Sequence, residues 1–258
     1  MNNRVEIVSK WILLACLFLI TACSNTSVRQ HQDFYETARS IDSVIIVPPE
    51  VVVELVTFTG ENEQLVEREA TVKSCLVSLA KQRLESHGLR VIDFDFLKAI
   101  ESDEEFAYAL TQCREAFKAA QKDLYSGDRV SEDDKDKFQA SIGPVVNAIV
   151  EKTGAESMLL MEYYGFEKSG GMIAKDVAVS VLLALLTGSV PVQATEGAAL
   201  QVSLIDTVGG DVLWTNSKSA QEIDSSLLNI ALEELPDVTW EAEISLAKSV
   251  DPSFENAQ

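Results

Sequence analysis

Two clusters of β-branched and aliphatic residues set the frame for this chain. Val44-Ile45-Ile46-Val47 is a short, wholly apolar run of the kind that fits a strand buried on both faces, and Leu89-Arg90-Val91-Ile92 repeats the signal. Between them, Leu65, Val72, Leu76, Leu79 and Leu84 recur at helical spacing, with Arg68, Glu69, Lys73 and Lys81 placed off that stripe. Gly88 follows as a helix-ending residue beside His87. Strand, helix and strand in this order suit an α/β fold. Pro48-Pro49 interrupts the first strand, since neither proline donates to a ladder, and Val51 to Phe58 resumes extended chain up to Gly60.

The remainder adds antiparallel strands and more helices. Phe106, Leu110, Cys113, Phe117 and Leu124 share one helical face behind the acidic opening Ser102 to Glu105, where negative charge complements the helix dipole. Ser126-Gly127-Asp128 ends that helix. Ser131 with Asp134 predicts a capped second helix, which Gly143-Pro144 kinks or divides. Ser157 to Phe166 predicts a strand. Gly197 to Thr207 and Val212 to Ser219 predict a hairpin turning at Gly209-Gly210. A helix carrying Leu227, Leu228, Ile230, Ala231 and Leu235 ends at Pro236, and a last short helix is predicted over about 240–250. The expected architecture is a mixed β-sheet covered by helices and closed by a β-hairpin. The expected domain covers 41–250, with a helical insert at about 103–154 and a loose tail at 251–258.

The amino terminus addresses the chain. Arg4 and Lys10 flank a basic start, Trp11 to Ile20 is apolar, and Ile20-Thr21-Ala22-Cys23-Ser24 follows. This is a secretory leader, too short for a bilayer span of about 20 apolar residues. Ile20-Thr21-Ala22-Cys23 resembles the lipobox of bacterial lipoproteins. That resemblance implies cleavage after residue 22, acylation of Cys23 and, with Ser24 rather than an aspartate next, an outer-membrane address facing the periplasm. Several acyl chains anchor a protein durably without a spanning helix. The polar stretch at 23–40 reads as a flexible tether, reaching on the order of 50 Å when extended.

Charge and chemistry narrow the function. The full chain carries −20, and loss of Arg4, Lys10 and Glu6 with the leader makes the mature protein one unit more negative. So acidic a surface disfavours nucleic acid. His31 lies in the predicted tether and His87 at a helix end, so a histidine metal site or a Ser-His-Asp triad has no material. No nucleophile, phosphate-loop or metal motif appears, and no catalytic residue, metal ligand or cofactor is assigned. Cys75 and Cys113 are left after processing, either as a disulfide closing a loop of about 40 residues or as buried thiols. The apolar segment 177–186, with Val177, Val181, Leu182 and Leu185, is either a core helix or an interface with a partner, a second copy or a membrane surface.

The order of elements is similar to a group of bacterial envelope lipoproteins resembling the curli-secretion lipoprotein CsgG, the amino-terminal domain of TolB and PelC. The likeness rests on Val44 to Pro48, the 65–87 helix with Gly88 and the strand after it, Ser157 to Glu162, and the hairpin from Leu204-Ile205-Asp206 to Trp214. It implies a non-catalytic structural or accessory part in an envelope assembly, with protein partners or self-association. Two alternatives stand beside it: a ring or pore-associated secretion lipoprotein, and a periplasmic hydrolase working through two carboxylates.

Overall fold

The computed structural model describes residues 25–125, 130–176 and 194–236. The chain begins with β1 (Asn25–Thr26), β2 (Arg29–Gln30), α1 (Phe34–Ala38), β3 (Ser43–Ile46) and β4 (Glu50–Val56). It continues through β5 (Glu63–Gln64), α2 (Val66–Ser86), β6 (Arg90–Ile92), α3 (Phe96–Ser102) and α4 (Glu104–Tyr125). After β7 (Val130–Ser131) come α5 (Asn147–Thr153), β8 (Ser157–Lys168), β9 (Glu196–Asp206), β10 (Val212–Ala220) and α6 (Leu227–Leu232).

β8 organises the sheet, whose strand order is β2-β10-β9-β8-β3-β6. One flank of β8 pairs antiparallel with β9 from Ser157↔Asp206 to Glu167↔Glu196. Its other flank is shared. Its first half runs parallel to β3, and its second half runs parallel to β4 from Glu50↔Glu162 to Val56↔Lys168. The partner offset changes by one residue between Ile46↔Leu159 and Glu50↔Glu162. Pro48-Pro49 occupies that slip, the place where a ladder donor is dispensable. The expected mixed sheet and closing hairpin are both present.

Alternation along the strands feeds two cores. Leu159, Met161 and Leu200 join Phe34, Leu76, Leu84, Trp214 and Leu228 beneath α1, α2 and α6. Met158, Leu160 and Ile45 face the other way, against Phe96, Phe106, Phe117 and Ile149 beneath α3, α4 and α5. The stripe of α2 buries Val72, Leu76, Ala80 and Leu84, and Gly88 at φ +81° turns the chain into β6. Asp103 accepts a hydrogen bond from Phe106 N at 3.0 Å and so starts α4. The stretch read as an insert is therefore the cover of one sheet face. Gly143, at φ +76°, and Pro144 open a 3-10 turn that runs directly into α5, so there is no longer helix for them to divide.

Four expectations are corrected. The stretch from Asn25 to Ser40 is no tether: β2 pairs with β10 through Trp214↔Gln30 and Thr215↔Arg29, and Phe34 is fully buried. Its polar residues conceal this, because Arg29 is buried too, donating to Thr26 O and Val28 O with its guanidinium over the Tyr125 and Phe138 rings. His31 is likewise held in the fold, its Nδ1 accepting from Asp33 N at 3.1 Å. Ser131 caps no full helix; only a 3-10 turn at Glu132–Asp134 forms, with Asp134 turned to Lys137 instead. Finally, Cys75 and Cys113 are both free thiols. Cys113 lies in the α4 core, whereas Cys75 is exposed on α2, and the sheet separates the two helices. Burial pushes the Cys113 thiol up to about 11. Cys23, Val177, Val181, Leu182, Leu185, the helix at 240–250 and the tail at 251–258 lie outside the described residues.

Candidate functional site

The register of the sheet produces ranks of side chains across β4, β8, β9 and β10. Glu50 opposes Glu162, Glu162 opposes Gln201, and Gln201 opposes Ser217, so four polar residues stand in one row. The next row on the same face is Val52, Tyr164 and Ala199. These are left open: Val52 is 38% and Tyr164 44% exposed. Helix α4 covers the face only up to the row before.

Three residues of α4 at i, i+4 and i+7 face that boundary: Arg114, Lys118 and Gln121. Gln121 is buried and donates to Ser203 Oγ at 2.5 Å and Thr215 Oγ1 at 2.9 Å. Lys118 reaches past the helix, with Nζ 2.8 Å from Glu50 and 3.5 Å from Glu162. Arg114 Nε lies 3.8 Å from Glu50, while Nη2 donates to Pro48 O at 3.1 Å. A cavity of about 340 Å³ opens here, lined by the two glutamates, Lys118, Val52, Tyr164 and Gln201 among others.

The two carboxyls titrate apart. Burial raises Glu162 above the ordinary carboxylate range; the charge of Lys118 opposes this, and the neighbouring Glu50 reinforces it. For Glu50 burial acts upward as well, but the hydrogen bond and charge of Lys118, a hydrogen bond from Glu162 and the charge of Arg114 outweigh it and hold the group low. The two carboxyls therefore differ in acidity, and the ammonium of Lys118 lies closer to Glu50, the more readily ionised of the two. The cleft presents donors, acceptors and an open phenol ring. Among the described residues no cluster of three or more metal-ligating side chains forms.

Substitution separates the two roles. Glu162 ionises less readily in the folded chain, so it costs stability as pH rises through its folded pKa. Glu162→Gln is therefore expected to match the parent in acid and to melt higher at pH 8. Glu50, held low, contributes stability above its unfolded pKa that is lost as pH falls through the folded value. Glu50→Gln is expected to lose roughly 1 kcal/mol at neutral pH, because Lys118 and Arg114 lose their partner. Thermal melts of both variants across pH 4–8 check this, and shifts of the same sign for both would contradict it.

None of these four charged residues was singled out from the sequence. Glu162 carried a trace of signal, as the lone acid ending the apolar run Ser157 to Met161. Its pairing with Glu50 follows from strand register alone.

No protein-family model matches the chain, and no curated protein matches it. Solved structures do. The chain is similar to lipoprotein GNA1162 from Neisseria meningitidis at 14% identity, over 81% of this chain and 99% of that one, with a TM-score of 0.31. It is similar to the LpoB C-terminal domain from Salmonella enterica at 14% identity, over 75% of this chain and 96% of that one, at a TM-score of 0.25. A PelC dodecamer from Paraburkholderia phytofirmans is 10% identical over 82% of this chain and 90% of that one, at a TM-score of 0.26. No residue role is carried over from them.

Proposed function

We propose that the chain is an outer-membrane-anchored lipoprotein whose periplasmic α/β body serves as a non-catalytic accessory part of an envelope assembly. The observation that carries this reading is Ile20-Thr21-Ala22-Cys23 at the end of an apolar leader. Among the described residues no helix is long and apolar enough to cross a membrane, and acyl chains on Cys23 would hold the chain at the bilayer without one. The open rows of β4, β8 and β9, with Val52 and Tyr164 exposed beside paired charges, offer the body a place for a protein partner.

The cleft also holds the two acids that the carboxylate-hydrolase alternative would need. Retaining and inverting glycosidases hold their carboxyls about 5–5.5 Å or 6.5–9.5 Å apart, leaving room for sugar or water. Glu50 and Glu162 stand opposite each other on neighbouring strands with Lys118 between them, which favours a structural charge pair over an acid–nucleophile couple.

Replacing Cys23 with serine tests the anchor. The parent product is expected to fractionate with outer membranes and to carry acyl mass on an amino-terminal Cys23; Cys23→Ser is expected to lose that mass and to retain its leader. A parent product with an unmodified Cys23 and its leader still attached would end the lipoprotein reading. Crosslinking in intact cells reads the accessory role separately, through the proteins that co-purify with the acylated form.

A further inference from the structure

The geometry points to a body that stands directly on the bilayer, with the β1–β7 and β10 margin of the fold against zwitterionic phospholipid headgroups. This rests on acylation of Cys23, and it replaces the picture of a domain hanging free on a long tether.

The argument is one of chain length. Asn25 and Thr26 are already paired with Ser131 and Val130. From there the fold does not let go: Val28, Arg29 and Gln30 are 5%, 3% and 4% exposed, and Phe34 is fully buried. Tyr125 Oη donates to Ser27 O at 2.7 Å, and Ser27 Oγ donates to Asn216 Oδ1 at 2.7 Å. Only two residue steps separate Cys23 from Asn25, a span of about 7 Å at most. Acyl chains on Cys23 enter the membrane at the headgroup boundary, so the first paired strand sits within roughly a nanometre of it.

The surface at this margin suits that neighbour. Ser27, Ser217 and Ser219 supply small hydroxyl-bearing side chains, and two ion pairs, Lys218 with Glu234 at 2.8 Å and Lys135 with Glu132, supply charges of both signs. Phosphate and ammonium groups of a zwitterionic headgroup find both kinds of partner there. The strongly acidic chain as a whole would be driven off an anionic surface, and a connection this short leaves it no freedom to withdraw. The sheet order then fixes the far side: β6 lies five strand spacings from β2, about 24 Å away.

Fluorescence quenching in vesicles tests the orientation. The full-length product, with Cys75 replaced by serine, is purified from membranes, its mass read for acylation, and reconstituted into phosphatidylethanolamine–phosphatidylcholine vesicles containing a headgroup-nitroxide lipid. A fluorophore is placed on Ser219→Cys, beside the anchor, or on Arg90→Cys, on the far strand; both positions are exposed. Quenching at Ser219→Cys is expected to exceed that at Arg90→Cys at least twofold. A 20-residue Gly/Ser spacer between Ser24 and Asn25 is expected to bring the two together. Equal quenching without the spacer, or an unchanged difference with it, overturns the orientation while leaving the anchor intact. Absence of acyl mass overturns the anchor and, with it, this inference.

Discussion

Gly210→Ala is expected to destabilise the protein by about 3 kcal/mol or more, since it combines a left-handed backbone with a backbone overlap. Gly210 has φ +75°, and a Cβ built there would lie 2.3 Å from Gly143 O and 2.9 Å from Gly143 N. The turn cannot slide away, because Gly210 N donates to Asp206 O and Gly210 O accepts from Ile142 N at 2.8 Å. This contact ties the β9–β10 turn to the chain leading into α5. Gly60→Ala separates the two causes: Gly60 has φ +83° with nothing within 4 Å of its added Cβ, so only about 1 kcal/mol of backbone strain is expected. Urea denaturation of both variants measures the difference, and equal losses would show that the approach to Gly143 yields without cost.

Phe34→Ala is expected to cost about 3–5 kcal/mol, the range for emptying a buried aromatic site, and hence a large share of a typical domain's stability. Phe34 is fully buried in the core that contains Trp214 and Leu228. Its neighbour Tyr35, 40% exposed, is the control, with a much smaller loss expected on replacement by alanine. The comparison decides whether residues 25–40 belong to the folded body. A loss below about 1 kcal/mol for Phe34→Ala would return the segment to the status of a tether.

What could be read from the sequence was what neighbours in the chain decide. Strand β3 and its arrest at Pro48-Pro49, the stripe of α2 with its stop at Gly88 and the β9–β10 hairpin all follow from side-chain periodicity and backbone freedom over a few residues. What could not be read depended on partners distant along the chain. Residues 25–40 look polar and loose until β10 and the Tyr125 and Phe138 rings close over Arg29. Cys75 and Cys113 each sit on a plausible helix, and only the sheet between those helices keeps them apart. The Glu50–Glu162 pair exists because β4 runs parallel to β8 one residue out of step with β3, and because α4 stops covering the sheet where Lys118 reaches over its edge. Local conformational preference is a property of short segments, whereas burial, register and pairing of charges are set by whichever surfaces the finished fold brings together.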